Sequence, residues 1–170
     1  ALVIGIPLGR LMARFKGGIP DHLGTVFIVI INAVPAVVYY LFIQMYGTDL
    51  LGLPVLFSRS NYATYILPVI SLSLGDTAYY AMWIRRYMID ESNKDYVKLA
   101  TAKGVRSRDI MSRQIFRNAF VPLIQYIPTS FILTMVGSIY VESLYSIPGM
   151  GGLLVKCIQS QDNTLVQALV

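Results

Sequence analysis

The chain has 170 residues, of which 55% are hydrophobic and 14% charged, and its mean hydropathy is +0.59. A soluble domain of this length cannot bury so much apolar surface, so the composition excludes an ordinary soluble protein and predicts a membrane protein. The single cysteine, Cys157, excludes an internal disulfide and a multi-cysteine metal site, and the lone His22 lacks partner ligands in the sequence. We therefore expect no metal and no cofactor.

Three runs with few or no charges are long enough to cross a bilayer. Residues 23–46 carry no charge, and at about 1.5 Å per residue they exceed a hydrocarbon core of roughly 30 Å. Residues 61–84 carry a single charged side chain, and residues 119–141 carry none. Residues 1–9 and 164–170 are expected to be parts of two further spans, so we expect an interior fragment of a longer protein.

Prolines lie in or near each of the three runs. Membrane helices tolerate proline because neighbouring helices and side chains satisfy the freed backbone groups. We therefore predict kinks and not breaks at four positions: Pro35, Pro68, Pro122 and Pro128.

The positive charges lie mostly on one side of the predicted spans. Twelve of the fourteen Lys and Arg residues precede the first run or lie in the loop 85–118. Arg59 and Lys156 are the basic residues of the segments 47–60 and 143–163. Because cytoplasmic loops carry an excess of Lys and Arg, we predict that the loop 85–118 is cytoplasmic and that the other two segments face outward. This topology explains the net charge of +5 without nucleic acid.

One ionisable side chain, Asp76, lies within a predicted span, where such a residue is functional by default. Nine residues separate it from Arg85, which places it about 13 Å from the cytoplasmic edge of a helix. Two interpretations stay open: Asp76 lines a pathway through the membrane, with Tyr79 and Tyr80 as further candidates, or it pairs with a basic residue.

The cytoplasmic loop has the pattern of a helix, a tight turn and a second helix. Tyr96, Leu99, Ala100 and Lys103 fall at helical spacing on one face, and Gly104 supplies the left-handed residue that commonly closes a helix. The second helix is predicted to begin with Ser107 as its N-cap and to run on into the membrane, with three apolar positions: Ile110, Met111 and Ile115.

Two interpretations of this loop remain open on the residues alone. Small side chains at Ala100 and Ala102 let another surface approach the backbone, and four basic side chains can meet acidic groups of a partner: Lys98, Lys103, Arg106 and Arg108. The same basic face would also suit anionic lipid headgroups.

The stretch KLATAKGVRSRDIMSRQIFRNAFVP, residues 98–122, resembles the cytoplasmic coupling motif of permease subunits of binding-protein-dependent ABC importers, in the oligopeptide and dipeptide group. The general family has Glu-Ala-Ala where this chain has Lys98, Leu99 and Ala100, so that only the last Ala and the following Gly104 match. The Ala-x-Ala-Lys-Gly and Arg-Asn-Ala forms are similar to the peptide group.

A second stretch, VESLYSIPGMGGLLVKCIQSQDNTLVQALV at residues 141–170, resembles the segment before the last span in the same permeases. Prolines and glycines in SIPGMGG break helices and permit close packing, and the resemblance implies a re-entrant or gate-proximal segment. An ordinary turn is the alternative. The residues implied near an outer gate are Glu142, Pro148, Gly149 and Gly151.

The resemblance implies an all-α, polytopic type I ABC importer permease fold of six spans in a bacterial cell membrane, and a peptide substrate. The implied partners are ATP-binding subunits, a second homologous permease subunit, an external solute-binding protein and membrane lipid. The residues implied to couple the chain to the ATPase are Tyr96, Leu99, Ala100, Ala102, Lys103, Gly104 and Arg106.

The sequence has no G-x-x-x-x-G-K-[ST] loop to hold ATP phosphates, so we expect a partner subunit to bind ATP and this chain to be no enzyme. Two alternatives remain open. One is a channel or secondary transporter that uses Asp76 as a proton or cation site, and the other is an ABC permease for nickel or another small solute.

Overall fold

The structure, a computed structural model, describes residues 1–169, and this part of the chain contains helices and connecting loops but no β-strand. The elements in chain order are α1 (Leu2–Arg14), α2 (Ile19–Ala33), α3 (Ala36–Leu51), a 3-10 turn (Tyr62–Tyr65), α4 (Ile66–Ser92), α5 (Asp95–Ala102), α6 (Ser107–Leu144), α7 (Met150–Gln159) and α8 (Asn163–Leu169). Near its start α6 contains a π-helical stretch, Ile110–Ile115. The predicted all-α fold class is confirmed.

The segment predicted as a span at 23–46 is divided between α2 and α3. Pro35 precedes α3 with φ −55° and ψ 136°, which is an extended conformation. A proline has no N–H to donate, and it disfavours helical geometry at the residue before it, so the helix breaks where we predicted a kink. The other three prolines lie within helices: Pro68 in α4, and Pro122 and Pro128 in α6.

By length and composition, α6 is the one helix in the described residues that could cross a membrane alone. Helices α2 and α3 meet the same criterion together, if the pair counts as one broken span. The predicted span 61–84 corresponds to the 3-10 turn and most of α4, which continues beyond it to Ser92. Residues 1–9 and 164–169 lie largely in α1 and α8, while Val170 is outside the described residues. The division into spans stays a prediction.

The described chain forms two compact units. The first unit consists of residues 1–33 and 74–129, and the second of residues 34–73 and 130–169. The core of the first unit brings together buried residues of α1, α4, α5 and α6: Ala13, Tyr80, Ile84, Met88, Ala100, Ile110, Ile115, Ala119 and Leu123. The core of the second unit contains Tyr40, Leu67, Val141 and Tyr145.

Two glycines of α1 allow this helix to pack closely against α4 in the first unit. A Cβ atom on Gly5 would lie 2.8 Å from the carbonyl oxygen of Thr77, and one on Gly9 would lie 3.0 Å from the Cα atom of Ala81. The two glycines are four residues apart and therefore lie on the same side of the helix. Small residues at this spacing bring two helix backbones together, which is typical of helix pairs in membranes.

A buried ion pair joins α2 to α4 just outside the predicted spans. Asp21 is 3% exposed, and its two carboxylate oxygens accept hydrogen bonds from Nε and Nη2 of Arg85 at 2.5 and 2.9 Å. The backbone N–H of Gly17 donates to the same carboxylate at 2.9 Å. The hydrogen bond from Arg85, helped by that from Gly17, lowers the pKa of Asp21 to about 2 even though burial raises it.

We predict that Asp21→Asn destabilises the protein at neutral pH by about 2 kcal/mol, below the cost for a fully buried pair because 30% of the Arg85 side chain is exposed. Because the folded-state pKa of Asp21 lies below its usual 3.8, the stabilisation is complete above pH 3.8 and is lost as the pH falls through about 2. Thermal unfolding in detergent measures both effects. The control is Asp95→Asn, which removes an exposed ion pair with Lys98 and should change little.

Candidate functional site

The predicted helix, turn and helix of the loop 85–118 are confirmed as α5, a tight turn and the start of α6, and the side of the membrane on which this loop lies stays a prediction. The turn is closed at Gly104, which has φ +77°. The N–H of Gly104 donates to the carbonyl of Thr101 at 3.0 Å, and the N–H of Val105 donates to the carbonyl of Ala100 at 3.1 Å. These two bonds form a Schellman motif, which satisfies the last carbonyls of α5 and reverses the chain within two residues.

The residues around this turn are exposed to solvent. Leu99 is 56% exposed and Val105 38% exposed, and the side chains of Ala102, Lys103 and Arg106 are exposed as well. We call Leu99 and residues 101–106 the tip. A rigid turn that carries exposed apolar and basic side chains has the chemistry of a docking surface for a protein with acidic groups.

The four residues that we predicted to share one face of α5 differ in burial; they are Tyr96, Leu99, Ala100 and Lys103. Ala100 is 7% exposed and packs in the core of the first unit, and Val97 packs beside it. Because the start of α6 packs against this side of α5, Ala100 is buried there, and of the four residues only Leu99 and Lys103 are exposed. Ala100 therefore supports α5 from within, and the coupling roles of the exposed residues stay a prediction.

Two further details of the loop differ from expectation. Arg106, not Ser107, occupies the N-cap position of α6, and Ser107 is the first helical residue, so the helix begins one residue earlier than predicted. No side-chain hydrogen bond caps this helix end; the N–H groups of Asp109 and Ile110 donate instead to the carbonyl of Arg106 at 2.9 and 3.1 Å. The predicted apolar positions Ile110 and Ile115 are buried.

The hydroxyl of Tyr96 points away from the tip. It donates a hydrogen bond to Oε1 of Glu91, at the end of α4, over 2.9 Å. Asn118 in α6 donates to both groups through Nδ2, over 3.3 Å to the Tyr96 oxygen and 3.4 Å to Glu91. Sequence reasoning missed Glu91 and Asn118, although a carboxylate within the mostly basic loop 85–118 was a usable signal.

The residues predicted near the translocation pathway have different surroundings within the first unit. Tyr80 is 3% exposed and packs in the core, whereas Tyr79 is half-buried and stacks on Tyr126 with 4.6 Å between ring centroids. Asp76 lies one turn earlier in α4 and is half-buried. The ring of Tyr80 therefore supports the core, and a pathway role for Asp76 and Tyr79 stays a prediction.

The second unit brings Glu142 together with the glycines of SIPGMGG. The end of α6 reverses at Ser146, with φ +55°, and the N–H of Ile147 donates to the carbonyl of Glu142 at 2.8 Å. The Glu142 carboxylate then accepts from the N–H of Gly151 at 2.7 Å and from the hydroxyl of Ser138 at 2.8 Å.

This carboxylate caps the beginning of α7. Gly151 is the second residue of α7, where backbone N–H groups lack partners and the helix dipole favours a negative charge. A Cβ atom on Gly149 would lie 2.5 Å from the carboxyl carbon of Glu142, and one on Gly151 would lie 2.6 Å from the Cα atom of Ile139. Glycine at both positions therefore lets α7 approach α6, and the exposed Pro148 lies directly before Gly149 near the end of the connection.

Glu142 also lines a cleft of about 630 Å³ within the second unit. Most of the lining is apolar, and the polar side chains are those of Thr134, Ser138 and Glu142. The predicted gate residues Glu142, Gly149 and Gly151 thus meet at one place, and a gating role for them stays a prediction.

We predict that Glu142→Ala loosens the start of α7 and lowers the free energy of unfolding by about 1 to 2 kcal/mol, because the N–H of Gly151 loses its acceptor. Hydrogen exchange should become faster in the first turn of α7. Glu142→Gln keeps an acceptor oxygen and should retain most of the protection. If all three proteins exchange equally, the cap does not hold this helix end.

The comparisons with known proteins agree on one family. The family model described as "Binding-protein-dependent transport system inner membrane component" matches residues 5–170. The chain is 34% identical to an oligopeptide transport system permease protein of Streptococcus pneumoniae, with 100% of the chain and 34% of that relative covered. It is 31% identical to a glutathione transport system permease protein of Pectobacterium atrosepticum, covering 100% of the chain and 56% of the relative.

A dipeptide transport system permease protein of Lactococcus lactis is 32% identical, with 99% of the chain and 57% of the relative covered. The chain therefore spans between about a third and somewhat over half of the length of these relatives.

Proposed function

We propose that this chain, which belongs to the family of binding-protein-dependent transport system inner membrane components, forms part of the permease subunit of an ABC importer for peptides. The family consists of transport permeases and not of enzymes, and its members are membrane proteins. The proposed setting is a bacterial cell membrane that the full subunit crosses several times, in contact with lipid.

The observation that carries this proposal is the tip. A tight turn whose backbone hydrogen bonds are satisfied internally presents Leu99, Lys103 and Arg106 to solvent at the end of a helix. Such an end can seat in a groove of a partner while its own backbone stays fixed. The proposed partner is a separate ATP-binding subunit, which supplies the hydrolysis that this chain has no G-x-x-x-x-G-K-[ST] loop to perform.

The proposed substrate and remaining partners come from the relatives. The three relatives described above are named for transport of oligopeptides, glutathione and dipeptides, and glutathione is itself a small peptide. We therefore propose a short peptide delivered by an external solute-binding protein. A second permease subunit would complete the pathway, and Glu142 with the start of α7 would lie near its outer gate.

The two alternative functions are less well supported. Membership in this family does not favour a channel or secondary transporter that uses Asp76, because family members act within binding-protein-dependent transport systems. A nickel permease lacks a ligand set here, since no group of three or more His, Cys, Asp or Glu side chains in the described residues could hold a metal ion.

We predict that the loop 85–118 is cytoplasmic and that residues 47–60 are outside. In a Cys157→Ser background, which removes the one native thiol, Ser107→Cys should react with an impermeant thiol reagent only from the cytoplasmic side. Ser60→Cys should react only from outside. Both positions are exposed, so both thiols are accessible to the reagent. Labelling of the two cysteines from the same side would contradict the topology.

We predict that Leu99→Asp or Lys103→Asp lowers the amount of ATPase subunit that co-purifies with the full-length permease by about tenfold or more, because each introduces a negative charge into the docking surface. Uptake of labelled di- and oligopeptides into proteoliposomes should fall with it. Arg59→Asp is the matched control, because Arg59 is an exposed basic residue outside the loop 85–118.

Two results would contradict the proposal in different ways. If the tip variants keep parental ATPase association and parental uptake, the tip does not bind the ATPase, and lipid binding remains as the interpretation of the loop. If the parent protein takes up nickel but no peptide, the proposed substrate is wrong.

A further inference from the structure

Three polar side chains from three helices meet at the base of α5 in the first unit. Glu91 comes from the last turn of α4, Tyr96 from the first turn of α5, and Asn118 from α6, shortly after the π-helical stretch. Oε1 of Glu91 accepts from the Tyr96 hydroxyl at 2.9 Å and from Nδ2 of Asn118 at 3.4 Å. We call these three residues the polar cluster.

The direction of each hydrogen bond is fixed by chemistry. An ionised Glu91 only accepts, and the side-chain nitrogen of Asn118 only donates, so the Tyr96 hydroxyl must give its proton to Glu91 while it accepts from Asn118. Burial raises the pKa of Tyr96 and the hydrogen bond from Asn118 opposes that rise, while Glu91 adds to it. The hydroxyl therefore stays protonated and remains a donor at neutral pH.

The other contacts of α5 with the first unit do not set its direction. Val97 and Ala100 pack on buried apolar residues of α6, including Ile110 and Ile115. Apolar contact of this kind is non-directional, so small rotations of a helix of eight residues change it little. Hydrogen bonds weaken steeply with angle, and those of the polar cluster are therefore sensitive to the orientation of α5.

The polar cluster lies at the end of α5 that is opposite the tip, where it can hold the orientation of the helix. Only Asn93 and Lys94 separate α4 from α5, and their N–H groups donate to the carbonyls of Asp90 and Glu91 at 3.3 and 3.2 Å. Tyr96 lies at this end of α5, whereas Lys103 lies at the far end, about 10 Å away along the helix. A force applied at the tip turns α5 about its base, where the polar cluster resists the rotation.

We propose that Glu91, Tyr96 and Asn118 are positioning residues that hold α5 at a fixed angle, so that a movement of the ATPase subunit at the tip is passed to α4 and α6. The proposal rests on the proposed function, because it assumes that the tip binds an ATPase. A partner can shift the permease between two states only through contacts that differ between them. If α5 could rotate freely at its base, a movement of the partner would turn α5 without moving α4 and α6.

The experiment compares Tyr96→Phe with the parent in the full-length permease assembled with its ATPase subunits in proteoliposomes. Phenylalanine keeps the ring and removes only the hydroxyl. We expect substrate-stimulated ATP hydrolysis and peptide uptake to fall by about tenfold, because the loss of one hydrogen bond to a charged group has an effect of this size. The ATPase subunit should still co-purify with the variant. Tyr62→Phe is the matched control, because Tyr62 is 86% exposed and far from the loop in sequence.

Variants of Glu91 separate positioning from general stability. Glu91→Ala should lower coupling as Tyr96→Phe does, and the double variant should be no worse than either single one, because both remove the same network. Glu91→Gln keeps an acceptor oxygen and should restore most of the coupling. A merely structural role would instead lower the amount of folded protein and leave hydrolysis per complex unchanged.

A spin label at Ala102→Cys, in a Cys157→Ser background, reports the motion of the tip without any partner. We expect Tyr96→Phe and Glu91→Ala to increase label mobility, and Glu91→Gln and Tyr62→Phe to leave it as in the parent. If the parent does not bind an ATPase, the proposed function is wrong, and so is the coupling role, whatever the label shows. If the parent couples normally and Tyr96→Phe matches it in uptake, hydrolysis and mobility, the proposal for the polar cluster is wrong.

Discussion

Every helix ends with carbonyl groups that have no partner within the helix, and both candidate sites of this chain lie where such groups are satisfied by a residue with positive φ. The values of φ are +77° at Gly104 and +55° at Ser146, after α5 and α6 respectively. Each turn reverses the chain within a few residues and leaves no long loop between helices. At the end of α7, Gln161 with φ +56° repeats the arrangement, since the N–H of Asp162 donates to the carbonyl of Cys157. A short helix buries little apolar surface, so a tight turn at its end helps to fix its position.

The two turns differ in what they present to their surroundings. The turn at Gly104 has no atoms near the position of a Cβ, so a side chain there would meet open space and suffer only the strain of positive φ. The turn after α6 is crowded, because the Glu142 carboxylate fills the space beside Gly149 and Gly151. Glycine is needed at the first site for its conformation and at the second for its size. An open turn suits contact with another molecule, whereas a crowded one suits the fixing of one helix against the next.

The sequence predicted features that depend on neighbouring residues and missed those that depend on distant ones. Gly104 was predicted as the end of a helix because its place after a helical face is a local signal. The break at Pro35 was predicted as a kink, since the pattern of apolar residues continues through it and does not show whether other groups satisfy the backbone. The burial of Ala100 and the pairing of Asp21 with Arg85 depend on which helices pack together. Neither composition nor periodicity carries that information, because both describe one helix at a time.

The polar cluster shows how a local irregularity determines such a distant contact. The π-helical stretch Ile110–Ile115 contains wider turns than an α-helix, and it lies between the tip and Asn118. In an α-helix each residue advances by about 100°, so a single extra residue within a turn rotates everything after it by about that angle relative to an uninterrupted helix. Asn118 faces Glu91 and Tyr96 in the register that this stretch creates. The same stretch buries Ile110 and Ile115 beneath Ala100, so the apolar and the polar contacts of α5 both depend on the register of α6.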